Sequence, residues 1–186
     1  TRYVVMLIGL SPHKSLLGLH RNDLIYEREC QSTNLFEYNG GINMQLQTRH
    51  FGVIDVNEKE ALHFPLGIPG FENVKQYILL GKQENESPFF WLQSLDNPEL
   101  AFVVVDPFYI KDDYYVDVDD EEIEEIHIED KENILILAIV TIPEDITKMT
   151  VNLKAPVLIN LKNNMGKQVV MKDDTFPVKY YIMSDE

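Results

Sequence analysis

The sequence predicts an all-β protein, a mostly antiparallel β-barrel or rolled sheet with one short helix. Short runs rich in β-branched and aromatic residues recur along the chain after residue 43. Eight of the nine prolines lie in that part and bracket the runs, as expected for many short strands joined by turns. One segment, residues 119–126, departs from this pattern and is predicted to be the helix.

Each predicted strand is one of these bracketed runs. The apolar run at 134–140 is too short to cross a bilayer and predicts a buried strand. The sequence Asn163-Asn164-Met165-Gly166 predicts a hairpin loop. The predicted strands are 45–50, 53–57, 62–64, 77–80, 89–94, 101–106, 114–118, 134–142, 149–153, 157–161, 168–172 and 179–182.

A tight turn is predicted at residues 68–71. Pro69 presets φ for the second position of a type II turn, and Gly70 supplies the positive φ required at the third. Apolar residues flank the turn on both sides, so we expect Phe71 to lie against the core. Glu72 is expected near the surface.

The helix prediction depends on two isoleucines among acidic residues. Ile123 and Ile126 are three positions apart and share one helical face. Acidic residues crowd the first turn, where the helix dipole favours them. Asp117 or Asp119 is expected to cap this helix.

The charge of the chain is strongly acidic and unevenly distributed. There are 31 acidic and 16 basic residues, for a net charge of −15. Residues 1–43 sum to zero, so the whole excess lies on residues 44–186. Such a domain repels nucleic acid and anionic membranes and favours a basic protein partner, although acidity also serves solubility alone.

Residues 1–43 are interpreted separately from the domain at 44–186. The chain begins with Thr1, and two glycines shortly precede Met44. One hypothesis is that Met44 is the natural start and residues 1–43 are a translated leader outside the native fold. The alternative is a genuine extension that docks through its apolar side chains, namely Val4, Leu7, Leu16, Leu17 and Leu19.

The sequence offers no recognisable motif for catalysis or cofactor binding. Cys30 is the only cysteine, which fits a reducing, cytoplasmic setting, and the five histidines are not at metal-ligand spacing. No nucleophile-elbow, phosphate-loop or dinucleotide motif occurs, so neither catalysis nor a cofactor is expected. The main metal candidate lacks the glycine of a calcium loop, and we expect most of its carboxylates to face water. That cluster comprises Asp112, Asp113, Asp117, Asp119, Asp120, Glu121 and Glu122.

Several further residues have both a structural and a binding interpretation. Phe89 and Trp91 lie in a run of large apolar residues, so they are either barrel core or exposed anchors for a partner. Asn152, Asn160 and Gln168 are polar residues within strand-like runs. They either secure the barrel through buried hydrogen bonds or line a recognition surface.

Four segments in this order and spacing make the chain resemble the flagellar assembly factor FliW family, from about Met44 to Tyr181. They are LGIPGFE at 66–72, PFFWLQS at 88–94, FVVVDP at 102–107 and TVNLKAPVLIN at 150–160, followed by Gln168.

The resemblance implies a barrel-like fold and a non-enzymatic role. Family members bind the RNA-binding translational repressor CsrA and relieve its repression of flagellin messenger RNA, with flagellin as the competing partner. No direct nucleic-acid or membrane contact is implied. The alternative is a small β-barrel ligand carrier or metal-dependent enzyme using the acidic cluster near Asp117. The candidate partner-binding residues are Asp117, Asp119, Asp120, Glu121, Glu122, Glu124, Glu125, Phe89 and Trp91.

Overall fold

The structure is a computed structural model that describes residues 2–5, 43–81, 88–129, 131–172 and 174–183. Strands dominate it. In chain order they are β1 Arg2–Val5, β2 Asn43–Thr48, β3 Gly52–Asn57, β4 Leu62–His63, β5 Gln76–Leu80, β6 Phe89–Ser94, β7 Ala101–Val105, β8 Val116–Asp119, β9 Ile134–Thr141, β10 Thr150–Val151, β11 Val157–Asn160, β12 Met165–Gln168 and β13 Tyr180–Tyr181.

The main sheet closes on itself. Its strands follow the order β11-β12-β4-β5-β6-β7-β9, and β9 pairs again with β11. Every pair in this ring is antiparallel except β12 with β4. Strands β10 and β13 extend the sheet from the far end of β9. The predicted mostly antiparallel β-barrel is therefore confirmed.

Alternate residues of the barrel strands belong to two different cores. In β9, Leu137 joins the interior cluster whereas Ile136 and Ala138 join a second cluster outside the barrel wall. This alternation explains why the β9 run is continuously apolar, because both faces of the strand are buried. The interior cluster consists of Leu62, Phe64, Ile68, Tyr77, Leu92, Val104, Leu137, Val157 and Ile159.

Two units cover the outside of the barrel. The antiparallel hairpin β2–β3 contributes Leu46 and Val56, which pack with Ile78 of β5. Strand β8 and the helical segment after it contribute Val116, Val118 and the two isoleucines to the second cluster. Burial on both sides of the wall gives a chain of this length a sizeable apolar core.

Residues 120–126 form the predicted helix in two short turns. Asp120–Ile123 is α-helical, and Glu124–Ile126 continues as a 3₁₀ turn. Ile123 and Ile126 are both buried, as their spacing predicted. Asp119 stands at the N-cap position, but its side chain makes no capping hydrogen bond, so that detail of the prediction was wrong. The carboxylate pairs with Lys172 instead.

The turn at residues 68–71 matches its prediction in backbone geometry. Gly70 has a φ of +87°, and Phe71 N donates to Ile68 O at 2.7 Å. Glu72 is exposed, and its carboxylate accepts a hydrogen bond from Gly70 N at 2.8 Å. Phe71 is not buried, since it stays 40% exposed with its ring edge against Phe102. Ile68 fills the core position instead.

The last predicted hairpin is displaced along the sequence. The turn occupies residues 161–164, with Asn164 at a positive φ of 57°, and β12 begins at Met165. Gly166 is therefore a strand residue, contrary to its predicted place in the loop. A Cβ at Gly166 would lie 2.5 Å from the Phe64 ring, so this glycine permits close packing inside the barrel.

Four helical turns among the described residues were not predicted: the 3₁₀ turns Glu58–Glu60, Lys131–Asn133 and Ile146–Lys148, and an α-helical turn at Pro107–Ile110. Residues Pro107–Ile110 form a short helix in which Asp106 caps Phe108 N at 2.9 Å and Pro107 takes the first helical position. Both are ordinary helix-start signals that the sequence carries. Other predicted strands agree with the observed ones in position, with ends that differ by a few residues.

Most of residues 1–43 lie outside the described ranges, including Leu7, Leu16, Leu17 and Leu19. The described part is β1, which pairs antiparallel with β8 from Arg2 opposite Asp119 to Val5 opposite Val116. The two strands form a separate two-stranded sheet.

Candidate functional site

The first candidate surface is the acidic face, which we define as the carboxylates of residues 117–125. Glu121, Glu122, Glu124 and Glu125 are exposed along the helical segment. Asp119 and Asp120 are partly buried, and Asp117 is only 6% exposed. In the predicted acidic cluster, Asp112, Asp113, Glu121 and Glu122 are exposed, so the expectation that most of its carboxylates face water holds, although Asp117 is buried.

Two lysines from the segment after β11 neutralise part of the acidic face. Lys167 pairs with Glu125 at 2.5 Å and lies 3.9 Å from Glu122. Lys172 pairs with Asp119, and this hydrogen bond, with the nearby charges of Asp119, Glu121 and Glu122, raises the pKa of Lys172. Glu121 and Glu124 project from the same segment at the solvent side, so the face keeps an excess of negative charge.

Asn160 fixes the position of the acidic face on the barrel. Its side-chain amide donates to Ile126 O and His127 O, each at 2.9 Å. Its carbonyl oxygen accepts from Lys162 N at 2.9 Å, and the side chain is buried. These bonds satisfy carbonyls at the end of the 3₁₀ turn, where His127 has a positive φ of 50°. The structural interpretation of Asn160 is the one that the geometry supports.

Phe89 and Trp91 lie on the outer side of β6 and are partly buried. Phe89 packs against the same outer cluster as Ile123 and Ile126. Trp91 is elsewhere, against the β2–β3 turn, with its ring 4.8 Å from His50 and 5.4 Å from Phe51. Phe89 therefore packs against the cluster that includes the two isoleucines beneath the acidic face, whereas Trp91 packs elsewhere.

The second candidate surface is a groove at the barrel end, which the sequence did not predict. It has a volume of about 350 Å³ and opens to solvent. Asn152 and Gln168 both line it, and their side chains bond the backbone of Ala155 at 3.0 and 2.9 Å. Asn152 and Gln168 therefore both secure the backbone through hydrogen bonds and line a surface groove, so their structural and binding interpretations are compatible. The groove is lined by Ile68, Pro69, Phe102, Ile139, Thr141, Asn152, Gln168, Val170, Val178 and Lys179.

The groove collects residues from six separate parts of the sequence. Ile68 and Pro69 come from the type II turn, Phe102 from β7, and Asn152 from the segment after β10. Its rim is apolar and exposed, since Val170 and Val178 are 59% and 58% exposed. Single exposed apolar residues are ordinary, but a group around a concavity is typical of a protein-binding surface.

No arrangement for metal or membrane chemistry occurs in the described part of the chain. Within it, no three histidine, cysteine or carboxylate side chains are grouped to hold a metal ion. Its helical segments are a few residues each, and none has the length and apolarity to cross a lipid bilayer.

The fold and the two surfaces define a small β-barrel that presents an acidic face and an apolar groove. The family model described as FliW protein matches residues 45–182. A flagellar assembly factor FliW from Caldanaerobacter subterraneus is 44% identical over 142 residues, covering 76% of this chain and 95% of the relative. The FliW of Thermoanaerobacter pseudethanolicus is 43% identical over the same coverage.

The structural comparison agrees with the sequence comparison. A crystal structure of the flagellar assembly factor FliW superposes with a TM-score of 0.71 at 33% identity, covering 77% of this chain and 99% of the other. The chain belongs to the FliW family of flagellar assembly factors.

Proposed function

We propose that this protein is a non-enzymatic regulator of flagellar assembly that acts in the cytoplasm by binding proteins. It binds the translational repressor CsrA, relieves repression of flagellin messenger RNA, and releases CsrA when flagellin binds. Residues 44–186 are the functional domain. The observation that carries the proposal is the acidic face on a domain of the FliW family.

The acidic face is the proposed docking surface for CsrA. An RNA-binding protein must present basic side chains to phosphates, and a carboxylate surface competes for the same side chains. The exposed glutamates project from a segment that is anchored by Asn160 and two lysines, so they are held in place before binding. The same charge disfavours direct binding of this protein to RNA.

The apolar groove is the proposed docking surface for flagellin. Its exposed valines suit an apolar segment of a partner, and the exposed Phe71 packs against Phe102 of the groove lining. The polar side chains of Asn152 and Gln168 are already bonded to the backbone of Ala155. They therefore give the groove fixed polar positions within an apolar wall.

The segment at residues 165–172 connects the two surfaces and supports mutual exclusion. Lys167 and Lys172 hold the acidic face, while Gln168 and Val170 between them line the groove. A partner that shifts this segment at one surface alters the other. Coupling of this kind is reciprocal, so each partner weakens binding of the other by the same factor.

A pair of charge variants tests the CsrA surface. Glu121→Lys with Glu124→Lys reverses two exposed acids of the acidic face and should weaken CsrA binding about tenfold. Glu99→Lys with Glu144→Lys makes the same charge change on exposed residues near the C-terminal end of β9. The acidic face is anchored at the other end of β9, where Asn160 pairs with Ile134. That control should stay within about twofold of the parent. Calorimetric titration at low and high salt measures both.

The salt dependence of CsrA binding distinguishes electrostatic attraction by the acidic face from an effect of the net charge of the whole protein. Parent binding should weaken as salt rises, and the Glu121→Lys, Glu124→Lys variant should lose most of that dependence. Equal weakening by the two double variants would mean that only net charge matters and that the acidic face is not the docking surface. No CsrA binding by the parent chain would refute the proposal itself.

A further inference from the structure

The groove at the barrel end contains two side-chain amides whose orientation is fixed by one backbone residue. Asn152 Oδ1 accepts from Ala155 N at 3.0 Å, and Gln168 Nε2 donates to Ala155 O at 2.9 Å. The remaining polar atom of each amide is therefore directed away from Ala155. Among the described residues, Asn152 Nδ2 and Gln168 Oε1 have no hydrogen-bond partner. The groove thus offers one oriented donor and one oriented acceptor.

A donor beside an acceptor matches the peptide groups of an extended chain. In an α-helix the backbone N–H and C=O groups are bonded within the helix, so a docked helix offers its side chains alone. In an extended segment these backbone groups are unpaired and need partners when they are buried. Asn152 can donate to such a C=O, and Gln168 can accept from such an N–H. The two amides therefore favour an extended occupant over a helical one.

Lys179 supplies the charge that an occupant of the groove must complement. It lines the groove, is exposed, and forms no ion pair within the described ranges. By contrast, Lys154 and Lys172, which are close in sequence to groove residues, are each paired with an aspartate. An ammonium group in this position attracts a carboxylate of a partner. The acidic excess of the chain disfavours a second copy of it as that partner.

Apolar side chains stand next to these polar groups. Val178 directly precedes Lys179, and Val170 follows Gln168 by two residues. Both valines line the groove and are more than half exposed. An occupant that covers them needs apolar side chains close to its carboxylate.

We infer that the groove binds an extended protein segment in which apolar residues adjoin an acidic side chain. Asn152 and Gln168 bind the main chain of the segment, the two valines contact its apolar side chains, and Lys179 pairs with its carboxylate. The inference rests on the protein-binding role proposed for the groove and adds the chemistry of the segment that the groove accepts. Its test contains neither CsrA nor flagellin, so its failure is distinguishable from failure of the proposed function.

Selection from a phage-displayed library of random short peptides tests this chemistry with the full-length chain. The library contains no lysine or arginine, so that the acidic face selects nothing, and the peptides are joined to the coat protein through their carboxyl ends. Selected peptides should be enriched in Asp or Glu beside apolar residues, although the net charge of the chain repels acids. Absence of selected peptides, or selection without enrichment of acids, would overturn the inference.

A selected peptide with a fluorescent label and an amidated carboxyl terminus is the probe for anisotropy titrations. Lys179→Glu should weaken probe binding about tenfold, because it places an acid beside an acid. Lys162→Glu is the matched control, since it makes the same charge change on an exposed residue at the opposite end of β9 and should stay within about twofold. Equal binding by the two variants would overturn the inference.

The apolar contact has its own matched pair of variants. Val178→Ser should weaken probe binding about fivefold, because it removes apolar area from the rim of the groove. Val53 in the β2–β3 hairpin is equally exposed, at 58% for both side chains, and Val53→Ser should leave binding within about twofold. Equal losses from the two serine variants would place the probe outside the groove and overturn the inference.

Methylation of single backbone nitrogens of the probe tests main-chain recognition. Methylation of the nitrogen that donates to Gln168 Oε1 should weaken binding about fivefold, because that hydrogen bond is lost. The next nitrogen along an extended chain is directed to the other side and should tolerate a methyl group. Tolerance at every position would overturn the inference. Parent dimers that dissociate in the Lys179→Glu variant, as detected by light scattering, would make a second copy the occupant and would also overturn it.

Discussion

At the scale of single residues, backbone conformation and hydrogen bonding at Gly70 determine the barrel corner. No atom lies within 4 Å of a Cβ built at this position, so space does not select glycine. The φ of +87° does. The neighbouring Glu72 carboxylate accepts the Gly70 N–H, and this bond holds the pKa of Glu72 below its usual value.

Two substitutions at Gly70 distinguish backbone strain from side-chain volume as the cause of lost stability. Gly70→Val should destabilise the protein by about 1–3 kcal/mol, since a β-branched residue resists a positive φ. Gly70→Asn should cost less, because asparagine tolerates this region better than other non-glycine residues. Urea denaturation followed by Trp91 fluorescence measures both. Equal stability of Gly70→Val and the parent would contradict the assigned turn.

Tyr77 is a buried residue whose hydroxyl makes no hydrogen bond within the described part of the chain. Burial, with a smaller contribution from the Asp96 charge, raises the pKa of Tyr77 to about 12. The folded protein therefore holds the phenol proton more tightly than the unfolded chain does. This stabilisation is complete below the unfolded pKa near 10 and is lost as pH rises towards 12.

The Tyr77→Phe variant should be at least as stable as the parent at neutral pH, because it removes an unpaired buried hydroxyl. Between pH 10 and about 12 the parent should lose more stability than the variant does. Urea unfolding at a series of alkaline pH values gives the difference. Parallel pH curves for the two proteins would show that Tyr77 is not desolvated as described.

At the scale of elements, the acidic face depends on one side chain from β11. Asn160→Ala removes the bonds to Ile126 O and His127 O and should cost about 2 kcal/mol, because a buried amide is lost and Ile126 O keeps only the longer bond from Asn163. Asn163→Ala is the matched control. Asn163 is exposed and donates to Ile126 O at 3.2 Å, so its loss should cost less than about 1 kcal/mol.

Thermal denaturation measures both variants, and CsrA titration of the folded Asn160→Ala protein adds a functional readout. The prediction for Asn160 fails if the two alanine variants melt together.

Local signals in the sequence predicted most elements but misplaced one. Pro69-Gly70 and the Ile123, Ile126 spacing are local, and both produced the expected structure. Gly166 was misread as a turn residue because its role depends on the distant Phe64 ring, which no local pattern reveals. Asp106-Pro107 is a local helix-start signal, but the predicted elements do not include the helix that it begins.

The two candidate surfaces also differ in how far the sequence predicts them. The acidic face is one continuous segment, so composition alone located it. The burial of Asp117 and the ion pairs of Lys167 and Lys172 could not be predicted, because they arise from packing against a segment far along the chain. The groove could not be predicted either, since barrel closure brings its six segments together.

At the scale of the whole molecule, barrel closure sets the acidic face and the groove beside one shared segment, residues 165–172. Lys167 and Lys172 serve one surface, and Gln168 and Val170 serve the other. In the proposed function, each of these surfaces binds one partner of a switch, and the shared segment couples them reciprocally.

The most direct test of the switch is a titration of flagellin into a preformed complex of this protein with labelled CsrA. The account predicts that CsrA is released as flagellin binds, and that the reverse titration shows the same coupling factor. Size-exclusion chromatography with light scattering identifies the species present. A stable complex that contains all three proteins would contradict the account.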